Sequence, residues 1–369
     1  MHASSPMVNA ADVAQDIPDS SASLHHPSKS SNLSQTDPPV EKTQLAIVTP
    51  EVGPTLNLQL RRIPVQPPKP GDVVVQIAWT GLCRSDACFS TGPEPGFPTT
   101  NHTAGHEGIG HVVQALDPAL LGRPVATRYL ASTCGACAYC LRGVPESCAA
   151  QTNFPKHHSG AFKQFVIAPW DALLPLPHHL VGMMARRVFG AKVVGVDWGW
   201  KGEGTAGEEL ARVGAFDVFV PAAAAAREEE ERRSAEDVKR RVREACAEMR
   251  GSMVSGVGLA DAVVVAASST AAYDDLTSYV CDGGCITCVG ATLGNGQISV
   301  SIKELVERQL IIQGNLMGGA EETYQVMEYI RQGVVTPLVT EIELEDIPEY
   351  MQKLTDCKTV GKTVAKICG

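Results

Sequence analysis

Four cysteines carry the strongest chemical signal, in the pattern Cys134-x2-Cys137-x2-Cys140-x7-Cys148. Four thiolates at this spacing can surround one tetrahedral zinc ion at about 2.3 Å per bond. An iron–sulfur loop would use gaps of about two, two and three residues followed by proline. Here the last gap is seven residues and Ala149 follows Cys148, so zinc is the expected metal. A closed four-thiolate shell leaves no position for substrate, which makes the expected role structural. The chain has 12 Cys in 369 residues. In a reducing cytoplasm such clusters point to metal rather than to disulfides.

Two further pieces lie upstream: Gly81-Leu82-Cys83-Arg84-Ser85-Asp86 and Gly105-His106-Glu107-Gly108-Ile109-Gly110. Each alone is a weak signal, because an isolated cysteine is usually a small buried apolar group. The other candidates read more simply as structure. His111 belongs to a strand, and His157 and His158 are expected as exposed loop residues. Cys281, Cys285 and Cys288 lack a convincing fourth partner and read as core or loop thiols.

The elements that must position these residues fall into two patterns. Residues 1–43 are rich in Ser, Pro, Asp and Asn and cannot offset the entropy of ordering, so a disordered tail is expected, with His25 and His26 solvated. From 44 to 180 the signals are short strands broken by Pro and Gly, such as Asp72–Trp79, which suggest a barrel-like β domain. From 181 to 317 strands alternate with helices, which implies a parallel sheet. Val181–Phe189 reads as helix, Lys192–Val196 as a buried strand ending at Asp197, and Ala262–Ala267 and Ile286–Val289 as further strands. Residues 223–250 read as one charged surface helix with an apolar stripe of Val238, Val242, Ala245 and Met249. Glu228 and Arg232, and Glu236 and Arg240, are spaced to pair on its face.

Taken together and in this order, the motifs resemble the zinc-dependent medium-chain alcohol dehydrogenases, especially the microbial tetrameric kind. Gly160–Phe165, Gly190–Asp197 and Val360-Gly361-Lys362 add to the likeness, which runs from about Thr43 onward. The resemblance implies a GroES-like β-barrel catalytic domain and a Rossmann-like NAD-binding domain, with residues 318–369 returning to the catalytic domain. It implies hydride transfer between NAD and a small alcohol or aldehyde at a catalytic zinc. By that likeness Cys83 and His106 are two zinc ligands and Asp86 orients His106. Glu107 is the acidic neighbour, and Ser85 takes the alcohol's proton. Arg84 and Lys362 meet the cofactor pyrophosphate, Asp197 and Lys201 its adenosine ribose, and Gly290 lies beside the nicotinamide. Where many relatives carry a histidine relay, this chain has Cys88.

The larger departure lies near residue 180. No Cys occurs between Cys148 and Cys246, so the family's third zinc ligand has no counterpart there. Glu107, Asp86, His157 or His158 are the available substitutes. No G-x-G-x-x-G precedes Asp197. Roughly 40 residues are missing relative to the family, more than a βα unit. The first Rossmann strand, central in the 3-2-1-4-5-6 order, and its phosphate-cradling turn are therefore expected to be absent. Activity is expected to be impaired. The alternatives are a non-enzymatic zinc-binding remnant, or a product of a skipped exon or wrong gene model, which sequencing the transcript at His178–Gly182 would decide.

Charge and composition exclude several partners. The net charge of −10 disfavours nucleic acid and anionic membranes. No apolar run approaches the roughly 20 residues of a membrane span. No basic-then-apolar leader opens the sequence, and Asp12, Asp16 and Asp19 argue against a mitochondrial presequence. A cytoplasmic enzyme is expected, as a homo-oligomer, dimer or tetramer, by likeness to the family.

Overall fold

The structure is a computed structural model that describes residues 42–92, 96–170, 191–198, 212–222, 228–250, 259–267, 269–290, 292 and 296–368. The expected tail before residue 42, the helix at 181–189, the segment near residue 180 and Lys201 lie outside the described residues.

The first half is built from β1 (Thr43–Glu51), β2 (Gln59–Pro64), β3 (Asp72–Gly81), α1 (Arg84–Thr91), β4 (Thr100–His102), β5 (Glu107–Gln114), β6 (Pro124–Ala126), β7 (Leu130–Ser132), α2 (Ala138–Leu141), β8 (Thr152–Asn153) and β9 (Phe165–Pro169). The second continues with β10 (Val194–Trp198), β11 (Val218–Ala222), α3 (Glu228–Arg250), β12 (Ala260–Val265), β13 (Val280–Cys288), α4 (Ile302–Glu307) and β14 (Ile311–Gly314). The chain then forms α5 (Ala320–Arg331), β15 (Val339–Glu343), α6 (Ile347–Thr355) and β16 (Lys362–Lys366).

β3 is the axis of the first half. It reads Asp-Val-Val-Val-Gln-Ile-Ala-Trp-Thr-Gly, and Val73, Val74, Val75 and Ile77 are all buried. β5 pairs along one edge. The other edge is shared: β9 covers Asp72–Gln76 and β16 covers Trp79–Gly81. The last strand therefore reaches β3 just before Cys83. β15 and β16 are parallel and α6 lies between them in sequence, a crossover that brings Ile347 and Met351 into the main core. β1, β2 and β4 form a second sheet, stitched to the β9 side through Ala46 and Lys163.

The parallel strands stand in two separate ladders. One is β10–β11, and the other is β12–β13–β14. Among the described residues no strand joins β10 to β12. In the 3-2-1-4-5-6 order, that break falls where the first strand belongs. Val196 on β10 is 48% exposed and Val264 on β12 is 47% exposed, unusual for strands of a parallel sheet, which are normally covered. The apolar packing is divided in the same way. Val220, Val238, Val242 and Cys246 form one cluster, and Val265, Tyr273, Val280 and Ile286 belong to another.

The expected apolar stripe of α3 packs on its own sheet, with Val238, Val242 and Ala245 buried. One expected pairing is corrected: Arg240 pairs with Glu244 at 2.8 Å and with Asp237, while Glu236 pairs with Lys239. Arg240 has acids three residues before it and four residues on either side, and spacing alone does not choose among them. β13 begins six residues earlier than the expected Ile286. A bulge-like irregularity at Asp282–Gly284, with Gly283 at φ 75°, interrupts a strand whose sequence reads as a turn.

Candidate metal and redox site

The four-cysteine loop folds as its spacing requires. Cys137–Cys140 and Cys148–Cys134 approach to 3.5 Å between sulfurs, and Cys134–Cys140 to 3.9 Å. A tetrahedral shell with bonds of about 2.3 Å has sulfur–sulfur edges of about 3.8 Å, so the four thiols fit one zinc ion. Amides of Ala136 and Cys137 donate to Cys134 and hold its thiol down to about 6, so a thiolate is prepared there. Loss of hydration pushes Cys140 up to about 11, with its sulfur neighbours adding to the shift.

The second site grows from the end of β3. Cys83 caps α1, and its backbone N–H donates to Asp86 Oδ2 at 3.3 Å. Asp86 is fully buried, and its Oδ1 accepts from Gly105 N at 2.9 Å and meets His106 Nδ1 at 3.0 Å. One carboxylate thus ties the Cys83 loop to the His106 loop and leaves His106 Nε2 as the nitrogen available to a metal. Gly105 is required at that corner. Its φ is 96°, and a Cβ there would lie 2.5 Å from Phe162.

Cys83, His106 and Glu107 present donor atoms within 4.8 Å of one another. His106 Nε2 and Glu107 Oε1 are 3.6 Å apart, near the edge expected of a tetrahedral N/O pair. Of the four substitutes for the third ligand, the structure brings in Glu107. Asp86 is occupied behind His106, and His157 and His158 line a separate cavity with His102 and Lys156. Burial disfavours a charged His106, but the adjacent Asp86 carboxylate outweighs it and holds the imidazole well above the ordinary histidine range. Ser85 Oγ lies 3.7 Å from Cys83 Sγ.

Lys362 also reaches this centre, which its spacing did not foretell. Its Nζ lies 2.5 Å from Glu107 Oε2, and its side chain is 12% exposed. Burial lowers its pKa, but Glu107 and then Cys83 raise it further, so the net shift is upward. Lys362, expected at the pyrophosphate, is here ion-paired with Glu107. Gly361, at φ 72° and pressed against Leu338, makes the turn that delivers Lys362.

The other expected cofactor residues are dispersed. Arg84 directs Nη1 to Cys357 Sγ at 3.4 Å. Asp197 is in β10, opposite Pro221. Gly290 follows β13, where a Cβ would lie 2.2 Å from Ala267 O. A cavity of about 360 Å³ opens there, lined by Tyr273, Cys288, Gly290, Thr292, Gln297 and Ile298. It lies past the carboxyl ends of β12 and β13, where open α/β sheets bind ligands. His111 is exposed on β5, opposite Gln76. Cys281 and Cys285 contact Asp261 and Thr287, and no metal group forms around them among the described residues.

The family model of the alcohol dehydrogenase GroES-like domain matches residues 69–178, which span both motifs and the four-cysteine loop. The chain is 23% identical to alcohol dehydrogenase 2 of Emericella nidulans, over 89% of this chain and 98% of that one. It is 26% identical to an alcohol dehydrogenase of Geobacillus stearothermophilus, over 80% and 92%. The chain thus carries an alcohol dehydrogenase GroES-like domain and is similar to alcohol dehydrogenases over most of its length. Solved structures agree on the fold. Acetophenone reductase from Geotrichum candidum in complex with NAD superposes with a TM-score of 0.61 at 20% identity, covering 89% of this chain and 98% of that chain. The cobalt- and zinc-bound thermostable alcohol dehydrogenase from Pyrobaculum aerophilum gives 0.63 at 17%, covering 88% and 99%. Against that likeness, the lack of a strand between β10 and β12 among the described residues is the unexpected feature.

Proposed function

We propose that the chain is a zinc-dependent, NAD-linked alcohol dehydrogenase whose cofactor-binding half is impaired. The observation that carries the reading is the convergence of Cys83, His106 and Glu107 with Asp86 behind His106. When bound, zinc supplies a Lewis acid that lowers the pKa of an alcohol, and the nicotinamide takes the hydride. The chain's own residues do the rest. Asp86 fixes the ring of His106 so that Nε2 faces the metal position. Glu107 offers a carboxylate where relatives offer a third protein ligand, and Lys362 balances its charge. Ser85 Oγ accepts the alcohol's proton. With Cys88 in place of a histidine relay, that proton leaves through solvent, because a neutral thiol relays poorly near neutral pH.

Impairment is inferred from the missing glycine-rich turn and the divided parallel sheet. Without that turn the pyrophosphate loses its main backbone donors. We place the protein in the cytoplasm, on its reduced cysteines, and as a homo-oligomer by likeness to its family. The test is to measure zinc content, NADH binding and turnover with short primary and secondary alcohols on one preparation. Two zinc ions per chain, with NADH binding weaker than about 1 mM and little turnover, is expected. Robust turnover would defeat the claim of impairment. One zinc per chain and no NADH binding would favour a zinc-binding remnant, a reading supported by the completeness of the four-cysteine loop.

A further inference from the structure

A cavity of about 200 Å³, apart from the metal centre, is lined by the end of β4 with its neighbours and by the turn at 155–159. Asn153 shapes that turn, its carbonyl accepting from the amides of His157 and His158. The lining is basic in a chain whose net charge is −10. Lys156, His102, His157 and His158 contribute to it, and among the described residues no Asp or Glu does. Burial outweighs the pull of Asp86 and lowers the pKa of His102. Burial and the nearby charge of Lys156 lower that of His157. Lys156 therefore carries the charge, and these two rings stay neutral.

The donors are held rather than free. Gly96, at φ 83°, leaves room for the lysine stem, since a Cβ there would lie 2.6 Å from Lys156 Cε. The Lys156 ammonium stands 5.5 Å from the centroid of the Phe97 ring. His157 Nδ1 accepts from the Asn153 amide at 3.0 Å, so the proton of the neutral ring sits on Nε2 and that nitrogen is a donor. His102 is 2% exposed, yet its Nε2 has no hydrogen-bond partner. A buried ring nitrogen without a partner is costly to keep unless something completes it.

We propose that this cavity is a binding site for a phosphate-type oxyanion, separate from the Cys83–His106–Glu107 centre. Lys156 supplies the charge, and the Nε2 groups of His157 and His102 donate to the anion, joined by the hydroxyl of Ser159. A tetrahedral oxyanion has four oxygens for these donors, whereas a carboxylate has two. The proposal stands apart from the dehydrogenase reading, because Lys156, His102 and His157 lie outside both metal-ligand groups.

Calorimetric titration of the full chain with inorganic phosphate, and with acetate for comparison, needs no turnover. Phosphate is expected to bind with a Kd of about 1 mM or below, and about tenfold tighter than acetate. Lys156→Met keeps the stem against Gly96 and Phe97 and should weaken phosphate about tenfold, the scale of one charge-assisted hydrogen bond. Lys156→Arg should retain most of the affinity. His157→Phe, at an exposed position, should weaken it by a smaller factor. Melting curves establish that each variant is folded. The proposal is overturned by a Kd above about 10 mM, by acetate binding as tightly as phosphate, or by phosphate binding that survives Lys156→Met in folded protein. That last result would place the anion on a metal ion instead.

Discussion

Both edges of β3 are paired, whereas β10 and β12 each leave an edge without a partner among the described residues. The first region gathers its candidate metal ligands by contacts that close over short distances. Cys134 to Cys148 is one loop, and Asp86 links two loops that flank neighbouring strands. The second presents two ladders, β10–β11 and β12–β13–β14, with no joining strand among the described residues. The difference teaches that a thiolate or imidazole site can close within one or two loops, while a cofactor crevice depends on the continuity of a whole layer.

The comparison can be broken or sharpened in four ways. The largest effect is expected at the four-cysteine loop, where structural zinc contributes roughly 10–16 kcal/mol of apparent binding energy in small domains. Cys140→Ser should drop zinc content by one ion per chain and abolish the native melting transition of the first half. A melting curve unchanged by the substitution would show that the loop is not held by metal.

Next comes Lys163, buried at 7% exposure between β1 and β9. Burial lowers its pKa to about 8 from the ordinary 10.5. The folded chain therefore holds fewer protons than the unfolded chain between these values. Stability should rise with pH through that window, and the charged lysine costs about 3 kcal/mol below it. Lys163→Met should stabilise the chain at neutral pH and flatten the rise, as chemical denaturation at pH 7 and 10 would report. Equal slopes for both proteins would contradict the assignment.

Asp86→Asn should weaken zinc at the second centre by about 10–100-fold while leaving the four-cysteine site loaded. Competition with a chelator of known affinity distinguishes the two ions. Smallest of all, Val264→Lys should change stability by less than about 0.5 kcal/mol, because the side chain is half exposed. A loss of several kcal/mol would mean that β12 is covered after all, and the contrast between the two regions would fall.

The parts legible in the sequence are those fixed by short spacing. The cysteine pattern implied a tetrahedral shell, and the sulfur separations fit one. The pairing of His106 with Asp86 came from likeness to a family, since a separation of 20 residues along the chain hides it from any local pattern. Lys362 is expected at a pyrophosphate only by likeness to a family. Its pairing with Glu107 arises because β16 pairs with β3 opposite β5, a register that no window of residues displays. His102 and Lys163 passed unnoticed for the same reason. A polar side chain in a strand signals the solvent face until tertiary packing turns it inward. The expected loss of the first parallel strand falls on residues outside the described ones, so only the absence of a glycine-rich turn in the sequence itself stands.

The pair of Lys362 with Glu107 also sets an order of assembly. Cys83, His106 and the four-cysteine loop leave the ribosome early, but the strand carrying Lys362 is made only after the entire parallel-sheet segment. Until then Glu107 lacks its Lys362 partner and Trp79–Gly81 of β3 lack their β16 neighbours. The four-cysteine loop is thus complete in the nascent chain long before the residues of the second site are all present.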